Sequence, residues 1–369
     1  MSSTKLSVGI VGLPNVGKST LFNALTKNSV PADNYPFCTI DPSVGVVAVP
    51  DTRLETLSKI SNSEQTIPAI IEFVDIAGLV RGAASGEGLG NQFLSHIREV
   101  DMILEVVRIF DNSDIHHVSG LIDPLTDIEV INLELIMSDL STINSRLHSL
   151  DRELKKGSAS AKEQQKLLIM LKNELESGKL VKDVLDSEED RLIIKEMNLL
   201  TTKPFLYACN KQSGGHNLDE QNGHQWQDLL DFFDKSNSEY VCIDAGMEHE
   251  LKDLSNDDKQ EFRREYGNQN NGIDELIRTA YKYLGLISFF TTGEKETRAW
   301  TINQGSSAPQ AGSAIHSDFH DKFIRAQVVS YEDLVMNGSL KQVKEAGKVR
   351  TEGKEYIVKD GDVIEFLHS

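Results

Sequence analysis

The chain has 369 residues, which at about 150 residues per domain predicts two or three domains, and its 39% hydrophobic and 26% charged content is typical of a globular protein. Its formal net charge of −19 excludes a protein that binds nucleic acid over its whole surface, so any polyanion must meet a local basic patch. Three scattered cysteines exclude a disulfide framework or a zinc site, and no apolar run is long enough for a membrane span. We therefore expect a reduced, soluble, cytoplasmic protein.

Short apolar runs bounded by glycine or polar residues predict buried strands in the first 250 residues. These runs are 5–11, 44–49, 69–75, 102–110, 204–210 and 240–243. A helical pattern begins at Lys18, and further helical patterns separate several of the later runs. The alternation predicts an α/β fold with a mostly parallel sheet covered by helices.

The alternation stops between residues 128 and 200, where strand-forming residues and proline are almost absent. Leucine, isoleucine and methionine recur there at helical spacing, and Gly157 interrupts the pattern. We interpret this segment as an inserted helical hairpin. Its basic residues concentrate in 146–172 and its acidic residues in 173–190. Two interpretations stay open, ordinary solvated helix faces or a basic tip that reaches a polyanion.

From residue 212 onward the composition of the chain changes twice. Residues 212–271 are polar and rich in Asn, Gln and Gly, which predicts surface loops and short helices around the strand at 240–243. After residue 284 the runs LISFFTT, RAWTI, FIRAQVV, EYIV and DVIEFL predict short strands, and a helix is predicted over 308–315. This pattern indicates a small α+β domain.

The strongest chemical motif is GLPNVGKS, which begins at Gly12 and matches the phosphate-binding pattern G-x-x-x-x-G-K-[ST]. A predicted strand precedes it and a predicted helix follows it, as this loop requires. Its glycines let backbone N–H groups surround phosphates, and the helix N-terminus favours negative charge. Lys18 places a positive charge on the β- and γ-phosphates, and the Ser19 hydroxyl is a Mg²⁺ ligand.

Two further segments fit the magnesium and γ-phosphate side of such a site. The run FVDIAG ends a predicted strand at Asp75, on the metal side, and its Gly78 can donate an N–H to a γ-phosphate. A glycine-rich run follows, flexible enough to order only when the γ-phosphate is present. Thr39, in the loop NYPFCTIDP, suits a switch residue that completes magnesium coordination, although an ordinary surface threonine is the alternative.

The residues that recognise the base of the nucleotide are expected where the strand at 204–210 ends, at Asn210 and Lys211. GTPases carry N-K-x-D there, and the carboxylate accepts two hydrogens from guanine. Here the fourth position is Ser213, whose hydroxyl cannot replace that acceptance, so adenine or reduced discrimination is expected. The alternative is that Asn210 and Lys211 simply end a strand.

The residue after Gly78 is Leu79, which cannot orient an attacking water as a glutamine can. The catalytic group must therefore come from elsewhere. His116 and His117 lie in a polar loop after the next predicted strand, and they are candidates whose alternative is an ordinary surface position.

Taken in order, GLPNVGKST, NYPFCTIDP, EFVDIAGLVRGAASGEGLGNQFL, HHVSG, DIEVIN, RAWTI, APQAG, FIRAQ, KEAGK and YIVKDGDVI form a recognisable set. The set resembles the YchF-type Obg-like ATPases over nearly the whole chain. The resemblance implies a Ras-like P-loop nucleotide-binding domain over 1–127 and 201–284. It also implies an inserted α-helical arm over 128–200 and a C-terminal TGS domain of ubiquitin-like (β-grasp) shape over 285–369.

The resemblance also implies Mg²⁺-dependent ATP hydrolysis and binding to ribosomes, through ribosomal RNA and the large subunit. The residues that it assigns to phosphate binding are Asn15, Val16, Gly17, Lys18, Ser19 and Thr20. It assigns Ser19 and Thr39 to magnesium and places His117 where the family has a histidine implicated in hydrolysis. Asn15 matches an asparagine associated with K⁺-stimulated turnover in related proteins, and Leu79 is the hydrophobic substitute for glutamine.

One departure from the family concerns the base, because the family motif N-x-x-E reads Asn210-Lys211-Gln212-Ser213 here. The guanine-binding Asp is absent as well, so ATP remains the expected nucleotide. Two functions are compatible with these motifs, a regulatory ATPase that switches its conformation on the ribosome and a metabolic P-loop kinase. A kinase usually needs a lid with arginines, and the arginines between residues 78 and 200 do not cluster in such a lid.

Overall fold

The computed structural model describes residues 6–26, 43–76, 89–110, 123–185, 187–212, 218, 226–251, 254, 256–265 and 272–368. Within these residues the strands form two six-stranded sheets, with the order β2-β4-β1-β5-β6-β7 in the first and β11-β10-β12-β8-β9-β3 in the second. The strands of the first sheet are β1 (Ser7–Val11), β2 (Val44–Ala48), β4 (Ile70–Asp75), β5 (Met102–Arg108), β6 (Phe205–Asn210) and β7 (Glu239–Ile243). Those of the second are β3 (Gln65–Ile67), β8 (Leu286–Thr292), β9 (Glu296–Asn303), β10 (Phe323–Ser330), β11 (Arg350–Glu352) and β12 (Asp362–His368).

The α-helices lie on and between these sheets. In the described part of the chain they are α1 (Lys18–Thr26), α2 (Thr52–Ser61), α3 (Leu89–Glu99), α4 (Pro124–Lys155), α5 (Ala159–Glu176), α6 (Glu188–Ile194), α7 (Gln227–Lys235), α8 (Ala245–Leu251), α9 (Asn256–Glu265), α10 (Gly272–Tyr283), α11 (Ala308–Ile315), α12 (Ser317–Asp321), α13 (Tyr331–Asn337) and α14 (Leu340–Glu345). Short 3₁₀ helices cover Val181–Asp183, Lys195–Met197 and Leu200–Thr202. None of the helices within these ranges is long and apolar enough to cross a membrane.

The first sheet is the predicted one. All six apolar runs form its strands, and every neighbouring pair is parallel except β2 and β4. Every residue of β5 and β6 is buried, because helices cover both faces of the sheet and leave no polar side. The α/β fold and its mostly parallel sheet are therefore confirmed.

Between β5 and β6 the chain leaves the sheet as two packed helices. At about 1.5 Å per residue, the 32 residues of α4 extend about 48 Å. Asp123 caps its start by accepting from the N–H of Thr126. Residues 156–158 connect α4 to α5, and Gly157 adopts a φ of +79°, which glycine allows without strain. Arg146 of α4 donates to the amide oxygen of Gln164 on α5 at 2.7 and 3.0 Å, so the two helices run side by side in opposite directions.

A buried carboxylate holds the base of this helical pair against the sheet. Asp139, in the middle of α4, accepts hydrogen bonds from the backbone N–H groups of Leu200 and Thr201 at 2.9 and 2.8 Å. The Thr201 hydroxyl donates a third at 2.7 Å. These donors belong to the 3₁₀ helix that leads directly into β6, so α4 is fixed to the strand that follows the helical segment.

The second sheet is shared between distant parts of the chain. β3 pairs in parallel with β9, with Gln65 opposite Glu296. Arg53 of α2 forms an ion pair with Asp360 at 2.7 Å, and its guanidinium lies 5.2 Å from the centre of the Phe290 ring. A segment before residue 70 therefore adds an edge strand to the C-terminal sheet and joins the two sheets.

Most predicted elements of the C-terminal part are present, and one is wrong. The helix predicted over 308–315 is α11, and four of the five predicted strands are β8, β9, β10 and β12. The run EYIV forms no strand and makes only an isolated bridge, from Ile357 to Ser307. Val358 is buried in the second core, and the strand that pairs with this side of β10 is β11. The predicted domain boundaries stay predictions.

Candidate nucleotide-binding site

The loop between β1 and α1 has the backbone of an anion-binding turn. Gly12 has a φ of +149° and Gly17 one of +102°, with Asn15 at +65° between them. A Cβ on Gly12 would lie 2.6 Å from the carbonyl oxygen of Val106, and a Cβ on Gly17 would collide with the amide of Asn210. Both positions therefore require glycine, which agrees with the motif found in the sequence.

Lys18 lies in this loop at the first residue of α1, and it is 9% exposed. Its Nζ donates to the carbonyl oxygen of Leu13 at 2.8 Å. Burial lowers the pKa of Lys18 to about 8, an effect that the negative charge of Asp75 partly opposes. A buried ammonium at a helix N-terminus is a strong site for an anion, since both the charge and the helix dipole favour it.

Ser19 and Asp75 meet beside this lysine. The Ser19 hydroxyl lies 3.4 Å from Oδ2 of Asp75. Asp75 ends β4 directly opposite Ile10 of β1, so the parallel pairing of two strands brings its carboxylate to the phosphate loop. Hydroxyl and carboxylate oxygens are the ligands that Mg²⁺ prefers, and the pair fits that cation.

Asn210 connects three parts of the site. Its amide Nδ2 donates to the carbonyl oxygen of Val16 at 2.8 Å, and its Oδ1 accepts from the N–H of Ala245 at 3.0 Å. Lys211 is buried, and its N–H donates to the carbonyl oxygen of Ile243. The end of β6 is therefore fixed to the phosphate loop on one side and to the start of α8 on the other.

Sequence reasoning missed Asp244 and Ala245, which follow β7 in this corner. Oδ1 of Asp244 accepts from the N–H of Met247 at 2.8 Å and so caps α8, which packs against α1. An aspartate directly after an apolar strand is a recognisable cap signal, but the run that follows it is too short to show helical periodicity. Six predicted residues lie outside the described residues, and their roles stay predictions: Thr39, Gly78, Leu79, His116, His117 and Ser213.

Comparison with known proteins agrees with this geometry. The family model described as MMR_HSR1, 50S ribosome-binding GTPase, matches residues 7–211, and the one described as YchF-GTPase_C, protein of unknown function (DUF933), matches residues 286–369. The chain is 48% identical to the Ribosome-binding ATPase YchF of Bacillus subtilis (strain 168), over 98% of both chains. It belongs to the YchF family.

Two other YchF proteins extend the comparison. The Ribosome-binding ATPase YchF of Escherichia coli O157:H7 is 46% identical over 97% of this chain and 98% of its own. The solved structure of the Schizosaccharomyces pombe YchF GTPase superimposes with a TM-score of 0.87 at 35% identity, covering 100% of this chain and 99% of that one. This chain and the fungal YchF protein therefore have the same α/β P-loop GTPase fold with mixed sheets over nearly their whole lengths.

Proposed function

We propose that this protein is an ATP hydrolase that binds ribosomes and changes its affinity for them with the bound nucleotide. The observation that carries the proposal is the phosphate loop, in which Lys18 is buried at a helix N-terminus beside the Ser19–Asp75 pair. The bacterial relatives named Ribosome-binding ATPase YchF support both halves of the proposal. Because ribosomes are its partner, the proposed site of action is the cytoplasm.

Ser19 and Asp75 are the described residues that would hold Mg²⁺, with Thr39 as the third ligand proposed from the sequence. Among the described residues there is no group of three or more His, Cys, Asp or Glu side chains that could hold a metal ion. When bound, the ion would neutralise phosphate charge. Asn15, in its left-handed conformation in the loop, is the residue proposed for a stimulating K⁺.

ATP is the proposed nucleotide, although the names of the relatives differ on this point. The bacterial proteins are called ATPases and the fungal structure is called a GTPase. Our proposal depends on Ser213, which supplies no carboxylate to guanine. We further propose that His117, rather than Leu79, positions the attacking water.

The helical pair α4–α5 is proposed as an arm that contacts ribosomal RNA of the large subunit, and residues 285–369 are proposed as a TGS domain. Two of the seven basic residues in 146–172 are engaged, since Arg146 pairs with Glu153 at 3.1 Å and Lys172 with Glu176 at 3.8 Å. The other five are exposed and form no ion pair with a described residue: Arg152, Lys155, Lys156, Lys162 and Lys166. On a chain of net charge −19, this tip is the part that a polyanion would approach first.

The nucleotide half is tested by measuring ATP and GTP binding and phosphate release with and without Mg²⁺. Tighter binding of ATP than GTP, with magnesium-dependent release of phosphate, is the expected result. Preference for GTP, or activity that is unchanged when magnesium is chelated, would contradict it.

The ribosome half is tested by co-sedimentation in each nucleotide state across a salt series. Reversing Lys155, Lys156 and Lys162 to glutamate should weaken binding and flatten its salt dependence, because fewer counterions are released per complex. ATP hydrolysis by the free protein should not change. The matched control reverses three exposed lysines of the C-terminal part, Lys341, Lys344 and Lys354. Loss of binding only in this control would move the contact from the arm to the C-terminal domain.

A further inference from the structure

A carboxyl group lies fully buried in the middle of the first sheet. Glu105, on β5, is 1% exposed, and its Oε2 has no hydrogen-bond partner among the described residues. It is paired with Tyr207 on β6 and with Val11 on β1, the strand that leads directly into the phosphate loop. Burying an ionised carboxylate is costly unless hydrogen bonds and an opposite charge replace the water that it loses.

The described groups around this carboxyl supply negative charge and acceptor oxygens. Asp127, in the first turn of α4, is 4% exposed, and its charge acts on Glu105. Asn132, further along α4, forms a side-chain hydrogen bond with Tyr207, while its Oδ1 is buried without a partner in the described structure. Tyr207 and Cys209 face Glu105 from β6 and stay neutral, because burial raises the pKa of each well above its ordinary value.

A single proton on Glu105 resolves this arrangement. It removes the desolvated charge, ends the repulsion between Glu105 and Asp127, and converts a carboxylate oxygen from an acceptor into a hydroxyl donor. Burial first, and the negative charge of Asp127 second, raise the pKa of Glu105 well above its ordinary value. The acceptors that α4 offers to this hydroxyl are the carboxylate of Asp127 and Oδ1 of Asn132, so the proton would join the strand to the helix.

We propose that Glu105 is a neutral acid in the folded protein at pH 7 and that its proton fastens the first turns of α4 to β5. Loss of the proton at alkaline pH places a second negative charge beside Asp127, in a space that excludes water. The start of α4 then separates from the sheet, because the carboxylate must regain water. Glu105 is therefore a pH-sensitive connection between the helical pair and the strand that neighbours β1 and its phosphate loop.

The charge state is tested by urea unfolding of the full-length, nucleotide-free protein and its Glu105→Gln variant between pH 5 and 7. Glutamine keeps the shape of the acid and carries no charge at any pH. Because the folded pKa of Glu105 is raised, its contribution to stability is complete below the ordinary pKa of 4.5 and falls as the pH rises. The unfolding constant of the wild type, divided by that of the variant, should therefore rise about tenfold per pH unit. A ratio that does not change with pH would show an ionised Glu105 and overturn the proposal.

The connection to α4 is tested by pulse-labelled hydrogen exchange of the same two proteins, with protection expressed relative to an unstructured peptide at the same pH. Raising the pH from 7 to 10 should lower the protection of residues 124–135 in the wild type by about tenfold or more, because this segment opens locally. The Glu105→Gln variant should keep its protection. Unchanged protection in the wild type, or an equal loss in both proteins, would overturn the proposal.

Glu129→Gln is the matched control, because Glu129 is an exposed carboxylate in the same part of α4. This variant changes the net charge by the same amount as Glu105→Gln but leaves the buried acid in place. It should keep the wild-type pH dependence in both measurements. Loss of that dependence in the control as well would assign the effect to net charge and refute the role of Glu105. Because no nucleotide is present, these outcomes are independent of the proposed ATP hydrolysis.

Discussion

Replacing Lys18 with methionine should make the nucleotide-free protein more stable at neutral pH. Burial lowers the pKa of Lys18 from 10.5 to about 8, and at about 1.4 kcal/mol per unit this costs the folded state about 3 kcal/mol while the lysine is charged. Methionine removes the buried charge but also loses the hydrogen bond to the Leu13 carbonyl, which contributes about 1 kcal/mol. The free energy of unfolding should therefore rise by about 2 kcal/mol at pH 7.

The pH dependence separates this cause from a general effect of the substitution. Between pH 8 and 10.5 the unfolded chain binds a proton at this lysine and the folded chain does not, so wild-type stability from this group rises with pH. By pH 10 the cost of the buried charge should fall to about 1 kcal/mol, and the two proteins should be about equally stable.

The assay is urea unfolding of both proteins at pH 7 and pH 10, with nucleotide binding measured in parallel. Lys59→Met, at an exposed position on α2, is the control and should change neither the stability nor its pH dependence. The same methionine variant should lose nucleotide binding, because the phosphates lose their cation. A stability difference that is absent at pH 7, or one that persists unchanged at pH 10, would refute the idea that the site holds a desolvated charge.

Three further substitutions test which base the site selects, which residue positions the attacking water, and what holds the helical pair to the sheet. Ser213→Asp should raise GTP affinity by roughly 1–3 kcal/mol by supplying a carboxylate to guanine, and a titration that shows no gain for GTP would contradict it. His117→Ala should lower the hydrolysis rate by ~10²–10⁴ without changing ATP affinity, and wild-type turnover would return this histidine to an ordinary surface role. Asp139→Ala should lower the free energy of unfolding by about 2–3 kcal/mol, because the buried donors of Leu200 and Thr201 lose their acceptor. Asp139→Asn keeps an acceptor and should cost less, so equal losses in urea unfolding would argue against this reason.

The sequence alone determined the first sheet and the phosphate loop, because both depend on local signals. A buried parallel strand reads as a continuous apolar run, and the glycines of the loop are imposed by the local backbone at Gly12 and Gly17. The helical pair was also predictable, since α4 and α5 are long enough for their apolar residues to show a helical period.

Tertiary structure decided what depends on contacts between distant residues. β3 has only three residues, too few for a pattern, and it becomes a strand because β9 offers its edge more than 200 residues later. The EYIV run was predicted as a strand but forms only an isolated bridge in the described structure, whereas β11, just before it in the chain, pairs with β10. Asn210 was predicted to contact the base, yet only the fold shows its amide between Val16 and Ala245. A hydrogen bond across 194 residues leaves no mark on the local sequence around either partner.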